Sequence, residues 1–294
     1  MANTLGTNVT EVLANAGLAA FKSTLAPVRA FSLNLEDDSA QPHASVVAQL
    51  ITAKSGKAFN DDYTATPDGT TTAVTVTLST SRFTNWYVSD TEQSKTSFDV
   101  NIAFAREAAA GHALDIVTDV WGAITSGNYS NSYTAGAAST FDVDAALNAI
   151  GTLDDAKAPT ENRVMVLSRT YATNLLKDMK FQFNVGSSAL REGAIGRIGG
   201  VDVYMSQAVP TTGNLVGFVA HPSALAAAIR PVRPQDGSTE SGLRYSEVVD
   251  AESGIRLGLR NFYDPTVGKR FGAFHSIWGK AVGQATGLTR IVSA

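Results

Sequence analysis

The sequence predicts an α+β fold in a chain of 294 residues. Three observations lead to this prediction. Residues 44–88 combine strand formers with turn residues, residues 89–127 repeat apolar side chains at helical spacing, and residues 128–240 alternate short helices with short strands. Strands and helices that are grouped along the chain in this way are typical of α+β architecture. Residues 1–43 precede these segments and residues 241–294 follow them.

The composition indicates a folded protein whose surface is partly covered by neighbours. Apolar residues make up 44% of the chain and charged residues only 17%, which is low against the usual charged share of about a quarter. The net charge is −4, so the chain lacks the basic footprint that holds nucleic-acid phosphates tightly. It has no cysteine, which excludes disulfides, thiolate catalysis and sulfur-based zinc sites. We therefore expect an oligomer stabilised by packing.

The sequence shows no sign of secretion or membrane insertion. The first lysine is Lys22, so the N-terminus lacks the basic region of a signal peptide, and the apolar run at 17–21 is too short for one. The most apolar later stretch, 216–229, is interrupted by His221 and Pro222 and is shorter than the roughly 20 residues that cross a bilayer. We therefore expect a soluble protein.

The first two segments predict an arm and a hairpin. Residues 9–21 space their apolar side chains for one helical face, and a helix this short must dock on its own domain or on a neighbouring subunit. Strand 45–51, a turn at 67–69 and the alternating strand 74–78 predict a long β-hairpin. Threonine and serine fill many of its alternate positions, and a lone hairpin is barely stable. We expect something else to hold it.

Residues 89–124 predict the longest helix. Ser89 is placed as its N-cap, and Glu92 occupies the capping-box position three residues later. Apolar side chains recur at spacings of three and four and form one stripe along the helix. A second apolar stripe lies next to it, which predicts that two sides of the helix are buried. That second stripe is formed by Leu114, Val117 and Trp121. At 1.5 Å per residue this helix would be on the order of 50 Å long, as expected of a strut.

The second half of the chain predicts short helices and strands. We expect helices at 142–156, 168–179 and 222–228, and strands at 163–167, 201–205 and 216–220. Prolines keep 230–234 extended. Strands 255–263 and 269–278 flank a turn at Asp264 and Pro265, and the chain ends in a strand at 288–292.

The titratable residues form no pattern that predicts a reactive site. The four histidines do not cluster, and their spacing supplies no set of metal ligands, so we predict structural roles for them. They are His43, His112, His221 and His275. The acidic pairs at 37–38, 61–62 and 154–155 could do acid–base work only if a cleft brought them together. Residues 142–144 begin like a calcium loop but lack its later Gly and Glu, so helix capping explains Asp142 better.

Two glycine motifs resemble phosphate-binding loops but fail the match. Gly279 and Lys280 look like the end of such a loop, but Ala281 replaces the hydroxyl that would hold magnesium. The glycine-rich run at 193–200 lacks the dinucleotide-binding order and leads into a strand, so we predict a tight turn there. We predict that the protein is not an enzyme and has no catalytic residues, no cofactor and no metal.

The same glycine-rich run carries a family resemblance. Strand 164–167, helix 171–178 and the pattern Gly193-x-x-Gly196-x-Ile198-x-Gly200-Val-x-Val-Tyr-x-Ser, closing on Pro210, resemble a stretch of the major capsid proteins of tailed bacteriophages with the Hong Kong 97 type of fold. Residues 218–225 are also similar to this family. The order of arm, β-loop, long helix, axial domain and terminal strands agrees over nearly the whole chain.

The resemblance implies a Hong Kong 97-like fold with named parts. These are an N-terminal arm and lead-in strand at 1–43, an extended β-hairpin loop at 44–88, the spine helix of a peripheral domain at 89–127, an axial domain at 128–240 and terminal strands of the peripheral domain at 241–294. It implies that copies of the chain assemble into hexamers and pentamers and close into an icosahedral shell around phage genomic DNA. The hairpin would lie across a neighbour, and the arm would hold adjacent capsomers.

The resemblance also implies partners and a location. The partners are other copies of the chain, a separate scaffolding protein, a portal and decoration proteins, with weak non-specific contact to packaged double-stranded DNA because the chain is acidic. Some members carry a scaffolding segment before the arm, and this chain has little room for one. The expected location is the virion capsid, after assembly in the bacterial host cytoplasm. Lys54 and Lys57 lie in the hairpin, but no motif extends the lysine–asparagine crosslinking of some relatives to them.

Two other functions remain open. An encapsulin-like bacterial nanocompartment shares the fold and encloses protein cargo, so neighbouring terminase and portal genes, or a cargo enzyme, would distinguish the two. A hydrolase with a dispersed Asp/His site would instead show a cleft that carries a strongly perturbed titratable group.

Overall fold

The structure is a computed structural model that describes residues 12–21, 24–25, 32–33, 45–51, 71–95, 100–178, 194–234, 243–249 and 256–294. The helices are α1 (12–21), α2 (Asp90–Lys95), α3 (Val100–Trp121), α4 (Val143–Asp155) and α5 (Arg169–Lys177). The strands are β1 (Ser32–Leu33), β2 (Ser45–Ile51), β3 (Thr71–Thr77), β4 (Thr80–Ser89), β5 (Ser132–Thr134), β6 (Val164–Leu167), β7 (Ala194–Ile198), β8 (Val201–Met205), β9 (Leu215–Ala220), β10 (Leu225–Pro231), β11 (Arg244–Val249), β12 (Arg256–Asp264), β13 (Lys269–Val282) and β14 (Leu288–Val292). The predicted α+β class is confirmed.

The first sheet is built around the long strand β13. Its order is β1-β10-β13-β12-β11, and β4 pairs along the other side of β13. Alternate residues of β13 point into the core, where Phe274 and Trp278 are fully buried. Helices α1 and α3 cover this inner face, and Leu13 and Phe21 of α1 are also fully buried there. The N-terminal helix therefore docks on its own domain, one of the two possibilities predicted for it.

The second sheet has the order β5-β14-β9-β6-β8-β7. Both of its faces are apolar, and β6 is buried at every position because α4 and α5 pack on one face and the end of α3 on the other. Asp142 caps α4 as predicted, since its carboxylate accepts a hydrogen bond from the Ala145 amide at 2.8 Å. Trp121 of α3 meets Phe218 of β9 edge to face, with ring centroids 5.5 Å apart, and this contact joins the two sheets.

The hairpin is confirmed as a pair of strands. β2 and β3 pair antiparallel, from Ser45 opposite Thr77 to Ile51 opposite Thr71, whereas the predicted turn at 67–69 lies outside the described residues. β4 does not extend this hairpin, because it pairs with β13 over its whole length. The segment 44–88 therefore contains the hairpin and one strand of the first sheet.

Several element predictions are corrected by packing. The long helix is described as α2 and α3, ends at Trp121, and leaves Leu114 42% exposed instead of buried. The helix predicted at 222–228 is one short turn, Pro222–Ala224, followed by β10, which pairs with β13. The C-terminal strand β14 pairs with β9 in the second sheet, although residues 241–294 were predicted to be terminal strands of the peripheral domain. The five-segment division stays a prediction.

The glycine-rich run forms a hairpin whose turn is the predicted one. Gly199 and Gly200 have φ values of +54° and +84°, the left-handed values that a two-residue hairpin turn requires and that glycine adopts without strain. They join β7 to β8, with Ile198 opposite Val201. Gly193 lies outside the described residues.

Candidate assembly surfaces

His112 is a core residue on α3. Its side chain is fully buried between Phe21 and Trp278, with ring-centroid distances of 6.2 Å and 6.0 Å, and its Nδ1 lies 3.2 Å from the Thr84 hydroxyl. Burial lowers the pKa of His112 to about 4, with a smaller opposing effect of Asp115. The neutral imidazole therefore packs between the first sheet and the helices that cover it. This is the structural role predicted for His112.

His221 and His275 serve two local structures. The backbone N–H and the hydroxyl of Ser223 both lie within hydrogen-bond distance of His221 Nδ1, at 3.2 and 2.7 Å, and close the turn before β10. His275 Nε2 lies 3.0 Å from the Ser81 hydroxyl across neighbouring strands. Burial lowers the pKa of both imidazoles. His43 lies outside the described residues.

The acidic residues that the structure describes do not gather in a cleft. Asp154 pairs at 2.6 Å with the buried guanidinium of Arg163, which also donates to two backbone carbonyls, and so ties the end of α4 to β6. Asp155 is exposed. Within the described ranges, no three His, Cys, Asp or Glu side chains come together as a metal site. The pairs at 37–38 and 61–62 fall outside those ranges.

Gly279 and Lys280 have separate structural roles. A Cβ on Gly279 would overlap the carbonyl oxygen of Thr77, so the glycine lets the link between β3 and β4 cross β13 at close range. Lys280 Nζ donates to Asp119 Oδ1 at 2.9 Å and to its backbone oxygen, near the end of α3. Cations are favoured at a helix C-terminus. The resemblance to a phosphate loop is therefore explained by packing.

Asp119 joins α3 to β13 through two donors. Besides the Lys280 ammonium, the Trp278 indole N–H donates to Asp119 Oδ2 at 2.9 Å. Burial opposes ionisation of Asp119, but these hydrogen bonds outweigh it and hold its pKa below the usual value. Both partners lie in the core or at its edge, so this contact differs from an exposed ion pair.

We expect Asp119→Ala to lower the free energy of unfolding by about 2 kcal/mol, because it leaves the buried indole N–H without its acceptor. Urea unfolding followed by tryptophan fluorescence would measure the loss. Asp115→Ala is the matched control on the same helix, since its pair with Arg82 spans 3.8 Å and is about half exposed; there we expect less than about 0.5 kcal/mol. Equal losses in both variants would contradict the prediction.

The base of the hairpin packs on the first sheet. Val76 and Leu78 are buried against Ala226 and Ala228 of β10. β2 and β3 form a two-stranded sheet of their own, and two strands alone are marginal in water. The packed base therefore anchors an element that needs further support along its length.

An aromatic face that was not predicted from the sequence lies on the outer side of the first sheet. It is formed by Phe83, Tyr87, Phe262 and Phe271. Tyr87 and Phe271 have ring centroids 5.9 Å apart, and Phe271 stacks on Phe262 at 5.1 Å. The signal was present in β4, where Phe83 and Tyr87 alternate with Trp86 and Val88, so that both faces of the strand are apolar.

Within the described ranges, no helix has the length and apolarity needed to cross a bilayer. Sequence comparison adds no relative, since no protein-family model and no curated protein matches the chain.

Solved structures do match, and they match over most of the chain. The capsid of Ralstonia phage GP4 is 12% identical, with a TM-score of 0.57 over 89% of this chain and 86% of that one. A chain from Mycobacterium phage Che8 is 17% identical, with a TM-score of 0.54 over 85% and 84%. This chain has the phage capsid fold.

The capsid fold also includes particles that are not named as phages. A virus-like particle from Pyrococcus furiosus is 12% identical, with a TM-score of 0.56 over 96% of this chain and 98% of that one. The predicted Hong Kong 97-type fold is confirmed by these likenesses. At such low identity they establish the fold, and function has to be inferred from the surfaces that the capsid fold leaves exposed.

Proposed function

We propose that the chain is a structural shell subunit, the major capsid protein of a tailed bacteriophage. The observation that carries the proposal is the likeness to phage capsid structures over 85–90% of this chain. In this role the chain self-assembles into hexamers and pentamers that form an icosahedral shell around phage genomic DNA. Its location is the virion capsid, after assembly in the host cytoplasm.

Three features of the described residues support a shell role. Val76 and Leu78 anchor the base of the described part of the β2–β3 hairpin. The outer face of the first sheet exposes Phe83, Tyr87 and Phe262, and the charged share of the chain is only 17%. Each is expected of a protein whose surface is covered by copies of itself. A separate scaffolding protein, a portal, decoration proteins and weak contact with DNA belong to the same proposal.

The same likeness to capsids supports a structural, non-enzymatic role. The residues considered for catalysis have packing roles where the structure describes them: His112 in the core, His221 in a turn and Asp154 in an ion pair. A hydrolase would require its reactive groups to converge on one cleft.

A compartment shell of the encapsulin-like kind is the second candidate. The chain of the virus-like particle from Pyrococcus furiosus is similar to this chain over 96% of this chain and 98% of its own length. The similarity therefore extends over nearly all of both chains. Both candidates predict self-assembly, and they differ in what the shell encloses.

Negative-stain electron microscopy with size-exclusion chromatography tests the proposal. The chain is expressed alone and with its flanking genes, and the particles are treated with nuclease before their contents are extracted. We expect closed shells or capsomer-sized rings, with nuclease-resistant DNA in the co-expressed sample. Shells that contain protein cargo and no DNA would favour the compartment, and a monomer under every condition would contradict both candidates.

A further inference from the structure

Helix α1 covers the buried ring of His112. Phe21 of α1 stacks on this imidazole, and Trp278 of β13 meets the same ring edge to face. Nδ1 lies within hydrogen-bond distance of the Thr84 hydroxyl, whereas Nε2 is buried and has no hydrogen-bond partner among the described residues. A protonated imidazole carries an N–H on both nitrogens. The site therefore accommodates the neutral ring and penalises the charged one.

The charged groups around His112 lie on α3, β13 and β4. Asp115, one turn along α3, favours the protonated ring, and His275 of β13 opposes it. Arg82 of β4 pairs with Asp115 at 3.8 Å, and residues 12–21 of α1 carry no titratable side chain. Burial outweighs these charges and lowers the pKa of His112 to about 4. Acidic pH therefore favours any arrangement in which the ring reaches water.

Helix α1 can leave His112 without breaking any strand pairing. The other elements that contact the ring are β4, which pairs with β13 over its whole length, and β13, which also pairs with β10 and β12. Moving either strand would break a ladder of backbone hydrogen bonds in the first sheet. The backbone hydrogen bonds of a helix lie mostly within the helix itself. Among the neighbours of His112, α1 is therefore the one whose release disrupts the fold least.

Small and apolar side chains dock α1 on α3 and β13. The fully buried ones are those of Leu13, Ala14 and Phe21. A Cβ on Gly17 would lie 2.7 Å from Phe274 Cζ and 3.3 Å from Ala109 Cβ, so the backbone of α1 approaches both elements closely. Ala109 lies one turn before His112, and α1 therefore runs over the stretch of α3 that carries the imidazole. Undocking of α1 would uncover both the ring and these apolar side chains.

We propose that protonation of His112 releases helix α1 from α3 and the first sheet, while both sheets stay folded. This switch lies within one chain, so it does not depend on the shell function. A released α1 exposes Leu13 and Phe21, and the subunit thereby gains at acidic pH an apolar segment that it conceals at neutral pH. The uncovered ring has the ordinary pKa of 6.5, and the covered ring has a pKa of about 4. The equilibrium constant for release should therefore rise about 30-fold between pH 7.5 and pH 5.

Thiol labelling of single-cysteine variants of the full-length chain tests this release. The chain has no cysteine, so Ala14→Cys places the single thiol on the buried side of α1. Ala149→Cys places it on α4 of the second sheet and is the matched control, since both alanines are 0% exposed. Dithiodipyridine labels thiols at acidic as well as neutral pH. Each labelling rate is divided by the rate for the urea-unfolded variant at the same pH.

At pH 5 we expect the thiol of Ala14→Cys to react about tenfold faster, or more, than the thiol of Ala149→Cys. Its rate should depend little on urea below the unfolding transition, because local release exposes little surface. From pH 7.5 to pH 5 the normalised rate of Ala14→Cys should rise about 30-fold. Adding His112→Gln to this variant should abolish most of that rise, since glutamine does not titrate.

Three results would overturn the proposal. Equal normalised rates for the two thiols, with the same urea dependence, would show that α1 leaves only when the whole chain unfolds. An acid-induced rise that persists in the presence of His112→Gln would assign the release to another group. If His112→Gln fails to fold, the pH profile of Ala14→Cys decides, because its normalised rate should rise about sevenfold from pH 6 to pH 5. A flat profile there would exclude the switch.

Discussion

Replacing Gly279 with alanine should lower the free energy of unfolding by about 3 kcal/mol, the upper range for overpacking a well-packed core. The added Cβ would overlap the Thr77 carbonyl oxygen and crowd the Leu78 amide. These are backbone atoms, so no side-chain rotation can relieve the overlap. The link between β3 and β4 would have to move away from β13, and Leu78 would lose its packing against Ala226 and Ala228.

Chemical unfolding measures this loss, and Gly111→Ala is the matched control. Gly111 lies in the middle of α3, where an added Cβ meets no atom within 4 Å. Alanine there should stabilise the helix by about 1 kcal/mol, because glycine is the weaker helix former. The same substitution should therefore have opposite signs at the two sites. A Gly279→Ala chain as stable as the wild type would show that the β3–β4 link can shift freely.

Acid should destabilise the fold through His112. Its pKa of about 4 in the folded chain lies below the ordinary value of 6.5, so the folded state favours the neutral ring. Its contribution is complete above about pH 6.5 and is lost as the pH falls toward 4, with a total of about 3 kcal/mol. The charged groups near the ring are Asp115 of α3, which favours the protonated form, and His275 of β13, which opposes it.

The free energy of unfolding at pH 7.5 and at pH 5 measures this effect. Between these values the wild type should lose about 2 kcal/mol through His112 alone. Glutamine in the His112→Gln variant can still hydrogen-bond to Thr84 but cannot titrate. Between pH 7.5 and pH 5 the free energy of unfolding of this variant should therefore fall by about 2 kcal/mol less than that of the wild type. His221 and His275 remain in both chains and cancel in the comparison. Equal losses in the two chains would show that His112 does not titrate in this range.

Local chemistry in the sequence was enough to predict several elements. Asp142 caps α4 as expected, and Ser89 and Glu92 form the capping box, with the Ser89 amide donating to the Glu92 carboxylate at 2.9 Å. Strands β8 and β14 have the predicted bounds. These features depend on residues within a few positions of one another, so their physical cause can be read from the sequence.

Features that depend on distant residues were not predictable. Residues 225–228 have an alanine-rich pattern that favours a helix, but pairing with β13 makes them a strand. Gly279 looked like part of a phosphate loop until the position of Thr77 explained it. Leu114 matched an apolar stripe and is exposed, since the periodicity of a helix does not show how much of its circumference has a neighbour.

The sequence by itself determined the class of fold, the caps at Ser89 and Asp142 and the glycine turn at 199–200, because caps, turns and alternation are local. It also supplied the resemblance to phage capsid proteins that the solved structures then confirmed as a fold. Only the tertiary structure decided that β4 flanks β13 and that Phe83, Tyr87, Phe262 and Phe271 form one face. Their juxtaposition depends on strand pairing over nearly two hundred residues, and no local pattern encodes that register.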